Sequence, residues 1–159
     1  MGSSGVHKAP GSLLRRELCL ARLALPDAES VLRELSGALA RAGLVAPTFC
    51  EALLAREASS PTGLPLAGRK VAVPHADPEH VLTPAIAVCT LARPARFAEM
   101  GNPTSLLAVE AVFVLALTDK ESAQAELVRL IERLQLPDFV DELCAAPDGD
   151  ALLALLQER

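Results

Sequence analysis

The run Val109–Glu110–Ala111–Val112–Phe113–Val114–Leu115–Ala116–Leu117 contains one polar side chain in nine residues. So long an apolar stretch, rich in valine, reads as a central β-strand covered on both faces. A strand of that kind commits the chain to layers, because helices must lie on either side of the sheet it belongs to. The flanking sequence offers those helices. Asp27 is placed as an N-cap, with Glu29 in the first turn and Val31, Leu32, Leu35, Ala38 and Leu39 on one face until Gly43. Pro47 suits the first turn of a second helix, which carries Phe49, Leu53 and Leu54 up to Arg56 and Glu57. After the apolar run, Asp119 can cap a long helix on which Leu127, Leu130, Ile131 and Leu134 recur at helical spacing, and Pro137 follows its end. Shorter helices are predicted around 139–144 and 150–156. Further strands are predicted over 70–73 and 84–91, with another over 17–25. The prolines and glycines between Pro61 and Gly68 read as a loop. The expected fold class is therefore α/β, a mixed sheet sandwiched by helices.

A chain of 159 residues with a hydrophobic fraction of 51% is one domain's worth and can bury a sizeable core. Residues 1–11 are small and polar, and are expected to form a disordered N-terminal segment ahead of a domain spanning 12–159. With 4 Phe, no Trp or Tyr and a net charge of −5, the chain lacks both stacking platforms and a basic footprint, which argues against a nucleic-acid partner. Cys19, Cys50, Cys89 and Cys144 have no metal-ligand spacing and fall in apolar-patterned segments, so they read as buried free thiols, and no metal or other cofactor is expected. No apolar stretch is long enough to cross a bilayer. The expectation is a soluble, cytoplasmic protein that reaches a membrane only through a partner.

Chemistry concentrates in one place. Val71–Ala72–Val73 is β-favouring, and Pro74 ends it by removing the next backbone donor, so His75 is held just past a strand end. In open sheets, reacting groups sit in the crevice beyond the carboxyl ends of strands. A neutral imidazole is a nucleophile near pH 7, and a hydrogen bond to one ring nitrogen aims the lone pair of the other. Just upstream, Arg56 offers a planar cationic fork for phosphate oxygens, and Thr62 with the backbone around Gly63 offers further donors. Either residue alone has an ordinary explanation: a histidine after proline is commonly an exposed turn residue, and an arginine near a helix C-terminus is favoured by the macrodipole. Their juxtaposition points to a phosphoryl group carried on imidazole.

The stretches AREASSPTGLPLAGRKVAVPHADPEHV and LARPARFAEMG resemble the fructose/mannitol-type enzyme IIA domains (EIIA type 2) of the bacterial phosphoenolpyruvate-dependent sugar phosphotransferase system. His80, the run Thr83–Pro84–Ala85–Ile86, Phe97 and Met100–Gly101 look most like the galactitol-type branch. The resemblance covers the chain from about Leu14 onward. It implies the mannitol-type enzyme IIA fold, with His75 as the phospho-accepting nucleophile and Arg56 steadying the phosphoryl group. It also implies a histidine-phosphocarrier protein, HPr, as donor, a cysteine of an enzyme IIB as acceptor, and an indirect connection to a membrane enzyme IIC. Mannitol-type members carry a second active-site histidine at the start of a late helix. Here that stretch reads Asp119–Lys120–Glu121–Ser122–Ala123, so either His80 replaces it or the Ser122 hydroxyl suffices. The resemblance leaves a second role open, a regulatory one like that of the nitrogen-type enzyme IIA proteins, in which phosphorylation of His75 tunes protein binding.

Overall fold

The computed structural model describes residues 13–157, so the expected disordered segment lies outside the described residues. In chain order the elements are β1 (Cys19–Leu23), α1 (Ala28–Arg41), α2 (Phe49–Ser59), β2 (Gly63–Leu64), β3 (Lys70–Ala72), β4 (Ala85–Glu99), β5 (Asn102–Ala116), α3 (Lys120–Leu134), α4 (Phe139–Ala145) and α5 (Gly149–Gln157). This is the expected mixed sheet between two helical layers, one built by α1 and α2 and the other by α3, α4 and α5.

The sheet is organised by the β4–β5 antiparallel hairpin, whose register runs from Ala85 opposite Ala116 to Glu99 opposite Asn102. Along β5 the side chains alternate between layers: Val112, Val114 and Ala116 belong to the α1/α2 core, whereas Ala111, Phe113 and Leu115 belong to the α3–α5 core. The two-sided burial foreseen for the apolar run has this cause. β1 runs parallel to β4, β3 runs parallel to β5, and β2 is antiparallel to β3. β2 also meets the far end of β4 at Glu99, so β4, β5, β3 and β2 form a closed circuit of pairings. That contact demands a glycine: a Cβ on Gly63 would lie 2.6 Å from the Ala98 carbonyl oxygen.

Three strand expectations are revised. The stretch between Pro61 and Gly68, expected to be a loop, contains β2. The strand predicted over 84–91 continues to Glu99, and its partner begins at Asn102 rather than 109. The strand predicted over 17–25 is shorter, since Arg16–Leu18 forms a 3-10 turn before Cys19. The helices capped by Asp27 and Asp119 begin as predicted, whereas α2 begins at Phe49 after Thr48, so Pro47 precedes that helix rather than standing in its first turn. Asp27 accepts a hydrogen bond from the Ser30 N–H in a reciprocal capping box, and Asp119 accepts one from the Ser122 N–H. Of the four free cysteines, Cys19 and Cys89 are buried, whereas Cys50 and Cys144 are half-buried. Among the described residues no helix is long and apolar enough to cross a membrane.

Candidate functional site

The site forms where β3 and β5, parallel neighbours, both end. Past Ala72 the Val73 N–H donates to the Thr62 carbonyl and to the Thr62 hydroxyl oxygen, each at 3.2 Å. The Pro74 carbonyl then accepts the Leu115 N–H at 2.9 Å, and His75 forms an isolated parallel bridge with Leu115. The segment that ends β3 is thus fastened on one side to β5 and on the other to the loop after α2.

His75 is half-buried, and its Nδ1 lies 3.1 Å from the Val73 carbonyl oxygen. A carbonyl can only accept, so this contact selects the tautomer with the proton on Nδ1. Nε2 then carries the lone pair. His75 lines a cavity of about 330 Å³ together with Arg56 and Asp77 on the same side and Leu115, Lys120 and Gln124 from β5 and α3. Arg56, in the last turn of α2, places Nη1 3.0 Å from Asp77 Oδ1. Both partners are substantially exposed, at 40% and 55% for the side chains, so this pair is a weak one that can be exchanged for another anion.

Behind this wall lies a second arrangement. Glu57, next to Arg56 on α2, accepts the Thr62 N–H at 3.0 Å and the Thr62 hydroxyl at 2.9 Å. Glu57 therefore holds Thr62, and Thr62 holds Val73, whose carbonyl orients His75. Burial raises the Glu57 carboxyl above its ordinary range, and the two hydrogen bonds from Thr62 work against that shift. Arg56 and Glu57 are consecutive in sequence yet divide the work, one facing the cavity and the other fixing the strand end.

A family model described as "Phosphoenolpyruvate-dependent sugar phosphotransferase system, EIIA 2" matches residues 12–159. The chain belongs to that family. It is 31% identical over 123 residues to the galactitol-specific EIIA component of the phosphotransferase system of Escherichia coli K12, a match covering 77% of this chain and 81% of that protein. The crystal structure of IIA mannitol from Escherichia coli superimposes with a TM-score of 0.72 at 25% identity, over 89% of this chain and 97% of that one. The solution structure of the complex of enzyme IIA-mannitol with phosphorylated enzyme IIB-mannitol, also from Escherichia coli, matches with a TM-score of 0.74 at 24% identity, over 92% and 100%.

Of the site residues expected in this EIIA from its sequence, His75 and Arg56 share the cavity. The other three lie elsewhere. Thr62 is buried, its hydroxyl engaged by Glu57 and Val73. His80 ends a 3-10 turn, Pro78–His80, with Nδ1 2.8 Å from the Thr48 hydroxyl and Nε2 3.6 Å from Glu79, while its carbonyl accepts the Ala46 N–H. It ties the α1–α2 connection to the segment after β3. Ser122 turns back on its own helix start, its hydroxyl donating to Asp119 at 2.9 Å. Sequence reasoning missed Asp77, Lys120 and Gln124. The signal for the last two was present in α3: they fall on one stripe with Ala123 and Leu127, which pack against the core, and stand exposed where that stripe meets the cavity.

Proposed function

We propose that this EIIA is a phosphocarrier in which His75 accepts a phosphoryl group at Nε2 from the phosphohistidine of HPr and passes it to a cysteine of an enzyme IIB. Residues 12–159 form the domain that does so, on the cytoplasmic side, for uptake of a sugar or polyol through a membrane enzyme IIC. The observation that carries this reading is the hydrogen bond from His75 Nδ1–H to the Val73 carbonyl, in a cavity that also holds a weakly paired arginine. The family assignment and the likeness to a galactitol-specific relative support the pathway, and the relative solved with an enzyme IIB supports the acceptor class.

In the forward step the Nε2 lone pair attacks phosphorus, a new N–P bond replaces that of the donor, and the donor imidazole departs with the bonding pair and takes up a proton. In the next step a thiolate of enzyme IIB attacks phosphorus, an S–P bond forms, and the N–P pair returns to Nε2. Nδ1 keeps its proton in both. Arg56 exchanges Asp77 for the equatorial oxygens, whose charge is what the protein has to stabilise. We assign Thr62 to holding the strand end rather than to the phosphate, and carry neither His80 nor Ser122 forward as phosphate donors, because none of the three lines the cavity. The test is incubation of the full chain with labelled phosphoenolpyruvate, enzyme I and HPr. Label should enter the protein on His75 and be absent from His75→Ala; label in that variant, or none in the parent protein, would overturn the assignment.

A further inference from the structure

The charges around the cavity do not balance once a phosphoryl group is present. Such a group brings a charge of about −2 to the site at neutral pH. Asp77 adds a carboxylate to the same lining, and Arg56 is the cation on that wall. Across the lining stands Lys120, the first residue of α3. A lysine there is placed against its own helix, because the first turn carries the positive end of the dipole and favours acidic residues. Among the described residues it forms no ion pair that would offset this, whereas Arg56 is held by Asp77. It also shares the cavity-lining stripe with Gln124, four residues on, so the exposed positions of that stripe are a cation and an amide.

We propose that Lys120 is the second cation of the phosphoryl site, its ammonium closing on the non-bridging oxygens of the group carried by His75, with the Gln124 amide as a neutral donor beside it. This inference rests on the phosphohistidine reading above. It gives this chain an answer to the missing second histidine that neither His80 nor Ser122 provides, drawn from the same helix start but from a residue two positions earlier. The unfavourable placement on the helix dipole is relieved when the anion arrives, so the lysine favours the phosphorylated state over the free one.

The experiment phosphorylates the full chain with phosphoenolpyruvate, enzyme I and HPr and follows the ³¹P resonance of the phosphohistidine against pH. In K120A the last phosphoryl ionisation should move up by about one pH unit, as expected on removing a neighbouring cation, and K120R should restore it. The equilibrium constant for phosphorylation by HPr should fall roughly ten- to a hundredfold in K120A, the effect of one charge-assisted hydrogen bond. Thermal stability should not fall, since an exposed cation is being removed from a helix N-terminus; K120M, which keeps the stem of the side chain, serves as a second variant. Phosphorylated K120A and K120M with an unchanged ³¹P titration would overturn the proposal while leaving the phosphocarrier reading intact. Slowed transfer with that unchanged titration would do the same, and would make Lys120 a contact to enzyme IIB. A parent protein that takes up no phosphoryl group would remove the reading on which the inference stands.

Discussion

Arg56 has two possible anions and one guanidinium group. In the structure it holds Asp77, and on the reading proposed above a phosphoryl group on His75 would compete for the same fork. Asp77→Asn should therefore raise the fraction of phosphorylated protein at equilibrium with HPr by about fivefold, equivalent to about 1 kcal/mol, because one carboxylate leaves the lining and Arg56 is released in advance. The pair is too exposed for its loss to alter the denaturant midpoint appreciably. Arg56→Lys should slow transfer with little change in melting temperature, since the bidentate fork is lost and the charge retained. The neighbouring Glu57 belongs to stability instead. Its folded-state carboxyl is raised by burial, so the native protein binds that proton more tightly than the unfolded chain does. The stabilisation this gives is present below the ordinary carboxyl value of 4.5 and is lost as pH rises from there through the raised folded value. Urea titrations between pH 4 and 7 should show the advantage of the parent over Glu57→Gln shrinking as pH rises. An advantage that grows over that range would mean that the Thr62 hydrogen bonds, not burial, dominate.

At the scale of elements, what could be read from the sequence divides along the central hairpin. Residues 85–91 and 111–116 are buried without interruption and announce themselves as apolar runs. Their continuations do not. From Ala92 to Glu99 buried residues are interrupted by exposed ones, Pro94 lies in the stretch where the register shifts between Thr90 and Ala95, and Pro103 sits next to the turn. Proline in a strand argues against a strand unless a bulge or an edge excuses it, and here an irregularity does. β2 is hidden in the sequence because two residues cannot show a period. Its existence depends on Gly63, whose carbonyl accepts the Met100 N–H at 2.8 Å across the closest approach of two backbones. Gly63→Ala should lower stability by about 1–3 kcal/mol and loosen the Thr62–Val73 contact. Faster amide exchange at Val73 and Met100, with the amides of the inner hairpin unaffected, would be its signature.

At the scale of the molecule, the site was legible only where it is local. Pro74 fixes where β3 stops and so where His75 stands, and Arg56 stands in the last turn of a helix that begins just after Pro47; short-range rules reach both. The α3 wall is brought in by the opposite helical layer, and which residues of α3 meet the cavity depends on how that helix rotates on the sheet. Ser122 is adjacent in sequence to the residues that face inward, yet its hydroxyl is consumed by Asp119. His80 is five residues from His75, and a 3-10 turn carries it to Thr48 instead. Proximity along the chain misleads at such turns.

The closed circuit of β4, β5, β3 and β2 also dictates an order of assembly. The hairpin joins near neighbours in sequence through a turn at Met100 and Gly101, the latter with φ of 79°, so it can form early. β2 has no register of its own until β3 is in place beside β5 and the far end of β4 has arrived, because both its residues pair with β3 and Gly63 also pairs with Glu99 of β4. The strand end that holds His75 is thus expected to be the last stitch in the sheet. Pulse-labelled refolding should protect the amides of Val88 and Val114 before those of Val73 and Met100, and a chain caught between the two events would be compact yet unable to accept a phosphoryl group.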